Sequence, residues 1–315
     1  VPTSSGSRTP DVIQSLRSAQ RESVGARHAV PAVAKDSHMP NQITRRHFIQ
    51  AVGATAAITA PGSAADKSLI VDVHAHLKHG DAAKTEYSAQ DIINVMDAVG
   101  IDRSIVFAMS TTTQRSIELA EAAVAQYPKR LIPFLYTLPN YERPVLAEID
   151  DALTNSGFRG IKIHAGESRL HPYIVDLVLK LAGEHGVPCL IDATGSATVA
   201  RRLAQSFPQT TILFAHMGAY MSRDHRMIDG FIQVAHDFDN AYLDLSAVAL
   251  VFKMEEAVRK IGADKMIWGT DGPHKNPSLN AYARFEMEKV QRLDVPQADK
   301  DKILGGNITK MLNLS

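Results

Sequence analysis

From Leu69 onward, short runs of aliphatic and β-branched residues alternate with longer stretches whose apolar positions recur at helical spacing. The short runs predict strands over Leu69–Val73, Arg103–Ala108, Leu131–Tyr136, Gly160–His164, Pro188–Asp192, Thr211–Ala215, Ala241–Leu245 and Met266–Gly269. The longer stretches predict helices over Ala89–Val99, Ser116–Tyr127, Val145–Thr154, Tyr173–Glu184, Ala197–Phe207, His225–Phe238 and Phe252–Ile261. Ser88 stands as a start signal before the first helix, and Gly100, Gly157, Gly186 and Gly262 stand as stop signals after others. Strict alternation implies parallel strands joined by right-handed crossovers. Eight evenly spaced repeats predict an α/β fold of the (β/α)8 TIM-barrel type in a single domain. A doubly wound sheet is the runner-up, but no Gly-x-Gly-x-x-Gly turn follows the first strand. The tail Ile303–Leu312 reads as a helix end, a Gly turn, an Asn cap and a last short helix.

Before this pattern begins, the chain has a different character. Residues 1–38 are rich in Ser, Ala, Arg, Pro and Gln without sustained apolar periodicity, and are expected not to pack. Then Thr44-Arg45-Arg46-His47-Phe48-Ile49-Gln50 leads into the weakly apolar run Ala51–Ala60 and the small residues Ser63-Ala64-Ala65. Order and spacing of these three parts resemble a twin-arginine export signal over residues 39–65, with Met39 as the true start. The expected partner is the twin-arginine export machinery, and the expected location is the bacterial periplasm. The mature barrel would then span residues 66–315, the usual length for one such domain.

Charge narrows the function classes. Lys plus Arg equals Asp plus Glu, thirty-four each, so no electrostatic footprint for nucleic acid or anionic membrane is visible. No apolar run after the first seventy residues is long enough to span a bilayer, so stable membrane insertion of the mature chain is not expected. The single cysteine, Cys189, lies in an apolar run, which excludes an internal disulfide and a thiolate cluster. A metal site here must take nitrogen and oxygen ligands.

Candidate ligands sit where a barrel keeps its chemistry, at the C-terminal ends of strands. The first strand delivers Asp72, His74 and His76, and alternation puts the two histidines on one face, able to grip one divalent cation. In Gly160-Ile161-Lys162-Ile163-His164, the isoleucines face the helices, so Lys162 and His164 point inward. An inward lysine is costly unless paired or functional, and Asp72 and Asp192 are the expected partners. Further strands end in Asp192, in His216 and in Gly269-Thr270-Asp271-Gly272-Pro273-His274, with His274 read as loop surface. Singly, His164 or His216 reads as a hydrogen-bonded core histidine, and Asp192 or Asp271 as a helix cap. Jointly, at corresponding ends of one barrel, they read as a site.

These pieces together resemble a known family. Asp72-x-His74-x-His76, Gly160–His164, Ala215-His216-Met217-Gly218, Tyr242-Leu243-Asp244-Leu245-Ser246, Gly269-Thr270-Asp271 and Leu304-Gly305-Gly306-Asn307 look like the amidohydrolase-related family of metal-dependent barrels. That group also contains aminocarboxymuconate-semialdehyde decarboxylase and related aromatic-acid decarboxylases. The resemblance implies that His74 and His76 bind the metal, that Asp271 ligates it or takes a proton, and that His216 is the acid, base or transition-state stabiliser. In many relatives the fifth strand ends in a histidine ligand, and here Asp192 stands in its place, with His164 as the other candidate for the vacancy. Lys162 and Asp72 are expected to contact substrate or to support the ligands.

The expected function is a hydrolase that acts on a small amide, lactone or ester with one divalent ion, zinc first and manganese second. A non-oxidative decarboxylase of a small aromatic acid is the alternative, and a non-catalytic binding protein on the same barrel is the third reading. Substrate identity and any homo-oligomer stay open at this stage. The export reading makes one prediction. Replacing Arg45 and Arg46 together by lysine should leave uncleaved protein in the cytoplasm, as cell fractionation would show; processed periplasmic protein from that variant would sink the signal assignment.

Overall fold

The aliphatic runs form parallel strands because they carry apolar residues on both faces, as a sheet covered on both sides requires. The computed structural model describes residues 68–139 and 145–314. The expected leader, 1–38, and signal segment, 39–65, lie outside the described residues. Strand β1 (Val71–Lys78) pairs in parallel with β2 (Arg103–Ala108), and β2 with β3 (Leu131–Pro133). Beyond Phe134 the same stave resumes as β4 (Leu135–Tyr136). It is followed in spatial order by β5 (Ile161–His164), β6 (Cys189–Asp192), β7 (Ile212–Phe214), β8 (Ala241–Asp244) and β9 (Met266–Ile267).

Hydrogen bonds join the two arcs at both ends. The Phe134 amide donates to the Val106 carbonyl at 3.0 Å, and the last strand meets the first through Val73 N to Trp268 O at 3.2 Å and His76 N to Gly272 O at 2.7 Å. The result is the expected α/β TIM barrel. Its helices are α1 (Ala89–Val99), α2 (Thr113–Gln126), α3 (Val145–Asn155), α4 (Pro172–His185), α5 (Ala197–Ser206), α6 (His225–Asp237), α7 (Val251–Ile261), α8 (Leu279–Gln291) and the short α9 (Gln297–Asp301). Ser88 caps α1 with a reciprocal capping box to Asp91, and Gly100 ends it in the left-handed conformation.

Two apolar layers hold the barrel. Inside it, Val71, Val73, Ile105, Phe107, Phe134, Leu190, Leu213 and Ile267 fill the bore. Between strands and helices, Ile161, Ile163, Ile191 and Phe214 pack on the apolar faces of the helices. Residues Ile308 and Leu312 belong to the inner layer, so the terminal helix α10 (Asn307–Met311) and its following turn plug the bore.

Three expectations need correction. Strand β1 continues to Lys78, so His74 and His76 lie within it and not past its end. Their backbones stay in the sheet because β2 and the Gly272 carbonyl continue to offer partners. Helix α8 was not foreseen; its buried face includes Glu286 and Lys289, which break the apolar stripe that would have marked it. The expected Gly turn is absent from the tail. Lys302–Gly306 is a π-helical turn that runs directly into α10, with Gly306 and Asn307 both helical.

The Asn307 amide does not cap a helix but donates to the Ala263 and Met266 carbonyls, each at 2.8 Å. The glycine at 305 serves close approach: a Cβ there would overlap the Leu69 carbonyl oxygen. Gly305→Ala should therefore lower the unfolding free energy by about 1–3 kcal/mol, the usual cost of overpacking against backbone, as urea titration would measure. An unchanged midpoint would show that the chain before β1 yields freely.

Candidate active site

Strict alternation cannot place the first-strand residues, because β1 contains a bulge. The register against β2 shifts between Asp72 and Ala75. Val71 and Val73 belong to the bore, yet His74 and His76 also turn inward, so the shift brings two successive residues to the inner face. Asp72 is left on the other face. There its carboxylate accepts from the His74 amide at 3.0 Å, the Thr270 amide at 2.9 Å and the Thr270 hydroxyl at 2.7 Å. Asp72 therefore braces the strand that carries the histidines, the supporting one of its two expected roles, and lines no part of the main cavity. Burial raises its carboxyl to about 6 against those three hydrogen bonds.

On the inner face the polar groups converge. His74 Nδ1 donates to Asp244 Oδ2 at 2.8 Å, which fixes the tautomer and leaves a lone pair on Nε2. That Nε2 lies 3.0 Å from Lys162 Nζ and 3.3 Å from Asp271 Oδ1. His76 Nε2 lies 3.0 Å from the same Asp271 oxygen, while its buried Nδ1 has no hydrogen-bond partner among the described residues. His216 Nδ1 donates to the Ser246 carbonyl at 3.0 Å, which points Nε2 toward Asp192 Oδ2 at 3.6 Å. Asp192 Oδ2 is also 3.2 Å from His164 Nε2, and its Oδ1 accepts from the Thr194 amide at 2.7 Å.

Both His216 and Asp271 hold left-handed backbone, with φ of 59° each. Non-glycine residues in that region are strained, and the strain turns both side chains into the mouth of the barrel.

The cavity above these groups has a volume of about 340 Å³. Besides the residues already named, His79, Asp81, Glu167, Tyr220 and His274 line it. Burial drives His74 down to about 4 and His76 well below the ordinary imidazole range, so both are neutral and able to ligate. Burial also lowers Lys162, with Asp192, Asp271 and Asp244 opposing. For Asp192 and Asp271 burial alone would raise the carboxyl, but facing histidines outweigh it and hold both below the usual range.

A divalent cation suits this donor set. Candidate ligand atoms of His74, His216 and Asp271 all lie within 4.8 Å of one another. Three buried carboxylates, Asp192, Asp244 and Asp271, surround this space, and Lys162 is the one fully buried ammonium against them among the described residues. Buried negative charge with inward lone pairs is stabilised by a positive ion. Nitrogen and carboxylate donors suit zinc or manganese, and no thiolate is near.

The sequence reading placed most of these side chains but not all their partners. Lys162 faces His74 and forms no close ion pair with Asp72 or Asp192 among the described contacts. Asp192 does not cap α5, whose first turn is held by Ser196. His274, read as loop surface, lines the cavity with Nε2 3.6 Å from Asp271 Oδ2. His164 pairs with Asp192 at the edge of the cluster and stands outside the His74, His216 and Asp271 group.

Missed altogether as a site residue was Asp244. A signal existed, since Asp244 ends β8 and Ser246 follows two residues later, at a strand end like those that carry the other polar groups. Glu167 and Tyr220 come from loops without periodic pattern, and nothing local marks them.

The pattern described as Amidohydrolase matches residues 71–314. Among solved structures, 5-carboxyvanillate decarboxylase from Sphingomonas paucimobilis is similar at 14% identity and TM-score 0.62, covering 79% of this chain and 100% of its own. A probable 2-pyrone-4,6-dicarboxylic acid hydrolase from Acinetobacter baumannii gives 16% and 0.61, covering 78% and 99%. A dihydroxybenzoic acid decarboxylase from Polaromonas sp. with bound manganese gives 18% and 0.60, covering 78% and 97%. No curated protein matches the sequence.

A His74→Ala/His76→Ala double variant should lose divalent metal, measured by elemental analysis, while its circular dichroism is kept, because the apolar bore lies elsewhere. Asp244→Ala, which removes the acceptor behind His74, should weaken metal affinity roughly ten- to a hundredfold. Unchanged metal content in the double variant would refute this placement of the centre.

Proposed function

The chain belongs to the amidohydrolase family, and from that premise we propose that it hydrolyses a small amide, lactone or ester. It is a metal-dependent enzyme. The observation that carries the hydrolytic reading is the position of Asp271: one carboxylate oxygen faces His74 and His76, and the other turns toward His274 at the cavity wall. A carboxylate kept ionised at that point can ligate and still accept a proton from water.

His74 and Asp271 would hold the ion, with His216 in the same cluster and His76 joined to it through the shared Asp271 oxygen, 3.0 Å from His76 Nε2. When bound, the cation lowers the pKa of water and polarises the scissile carbonyl. We assign zinc first, because imidazoles dominate the donor set, and manganese second. Asp271 takes the proton from the attacking water. His216, whose Nδ1 is held on the Ser246 carbonyl, would receive that proton from Asp271 on Nε2 and pass it to the leaving group, with Asp192 Oδ2, 3.6 Å from the same Nε2, to offset the charge on the ring in between. Lys162 sits 3.0 Å from His74 Nε2 and 5.3 Å from the Phe107 ring centre, where it offsets negative charge that develops at the site.

One observation favours non-oxidative decarboxylation as a second reading: a buried lysine beside the centre would also hold a substrate carboxylate. Solvent oxygen separates the two, since only hydrolysis places it in the product. The non-catalytic reading gives way to the family match, which spans residues 71–314. Export to the periplasm through residues 39–65 stays part of the proposal. No helix among the described residues is long and apolar enough to cross a membrane.

With a metal-loaded preparation and a panel of amides, lactones and esters in labelled water, the expected outcome is metal-dependent turnover with label in the product. His216→Asn should lower kcat by at least about a hundredfold with metal retained, and Asp271→Ala should lower both kcat and metal content. Label-free product from an aromatic acid would replace hydrolysis with decarboxylation.

A further inference from the structure

Glu286 and Lys289 are two buried charges that the chemistry described so far does not use. Both lie on α8, 2% and 6% exposed, and Lys289 Nζ stands 2.6 Å from Glu286 Oε2. A buried ion pair adds little to stability over apolar packing of the same volume. What this pair does hold is the loop that follows β8. Glu286 Oε2 accepts from the Ala247 amide at 3.0 Å, and Lys289 Nζ donates to the Val248 carbonyl at 3.1 Å.

The Ala247 amide belongs to the same peptide unit as the Ser246 carbonyl. A trans peptide is planar, and its carbonyl and N–H point in opposite directions. Here the carbonyl accepts from His216 Nδ1 at 3.0 Å, while the N–H on the other side donates to Glu286. His216, one peptide unit and Glu286 therefore form a continuous chain from the cavity wall to a helix outside the barrel. Hydrogen bonds in such a chain polarise one another, so an anion on the N–H strengthens the carbonyl as an acceptor. The turn is fastened at its next group too: Ala247 holds left-handed backbone, φ 50°, and its carbonyl accepts from the Met221 amide at 3.1 Å. Strained backbone of this kind persists where its surroundings hold it in place.

We propose that Glu286 is a positioning residue for His216, acting through the Ser246–Ala247 peptide: its carboxylate fixes and polarises the carbonyl that holds the ring. His216 thus has a carboxylate partner that it never touches. Lys289 and the Ala247 amide oppose the burial that favours the neutral acid, and so keep the charge where the chain needs it. The consequence for turnover rests on the reading of His216 as the group that passes a proton to the leaving group; the chain of hydrogen bonds does not.

The test is the His216 Nδ1 proton, read by proton NMR of the zinc-loaded full chain and assigned by its loss in His216→Asn. The spectra are taken above the value of about 7 to which burial raises Glu286, so that its carboxylate is charged. Glu286→Gln keeps the side-chain length and an acceptor for the Ala247 amide but removes the charge. It should move that resonance upfield and lower kcat toward 4-nitrophenyl acetate about tenfold with KM unchanged, the lower end for a partner behind a working histidine. Glu286→Gln/Lys289→Met, which leaves no ammonium unpaired, should fold and give the same shift. Glu288→Gln removes a charge from the same helix that pairs with Arg292 instead, and should leave the resonance in place. An unmoved resonance in the folded Gln variants, an equal shift in Glu288→Gln, or an unchanged kcat beside a shifted resonance overturns the proposal. A shifted resonance from a chain that hydrolyses no amide, lactone or ester of the panel upholds the chain of hydrogen bonds and fails the hydrolytic reading; hydrolysis with an unmoved resonance does the reverse.

Discussion

The candidate centre depends on one buried carboxylate that touches no solvent. Asp244 accepts from His74 Nδ1 at 2.8 Å, from the Ser246 hydroxyl at 2.6 Å and from the Ser246 amide at 3.0 Å, with the His216 amide at 3.4 Å. Four donors on one anion tie β1, β7 and β8 together at the level where the chemistry sits. Burial alone would raise this carboxyl, but His74 and the hydrogen bonds keep it below its ordinary range. Because its charge is satisfied from behind, His74 and His216 are left with their outer nitrogens facing the cavity. The ligands are thus oriented before any ion arrives, which is the role of such outer partners in metal sites generally.

Much of this was legible because a parallel barrel writes itself in period and spacing. Buried strands such as Ile161–Ile163 and Leu190–Ile191 are short and apolar on both faces, and the helices between them follow a different period. Ile161 and Ile163 against the helices correctly turned Lys162 inward, where it is fully buried. The histidine pair and the aspartates at strand ends could be placed in one region by topology alone.

What stayed hidden depends on geometry between distant residues. A bulge leaves no mark in the period of Val71–Lys78, so Asp72 read as a neighbour of the ligands when it supports them from the opposite face. The pairing of Lys162 with an imidazole, and not with a carboxylate, follows from packing between β1 and β5 that no local pattern encodes. Helix α8 hid because its buried face contains the Glu286–Lys289 ion pair at 2.6 Å, which holds the Ala247 amide and the Val248 carbonyl. Burial raises Glu286 to about 7 despite that lysine. The same pair explains why a charged stripe can face inward: it fastens the loop that carries Ser246.

The plug at the bottom of the bore sets an order of events in synthesis. Ile308 and Leu312 fill the same layer as Val71 and Val73, and the tight fit of Gly305 against Leu69 joins the two ends of the barrel sequence. Strands that emerge early therefore cannot complete their packing while the last helix is still inside the ribosome. The inner layer is complete only once Ile308 and Leu312 are in place beside Val71 and Val73. Until then, the nascent chain presents unpaired strand edges, and protecting those edges falls to whatever meets the chain first.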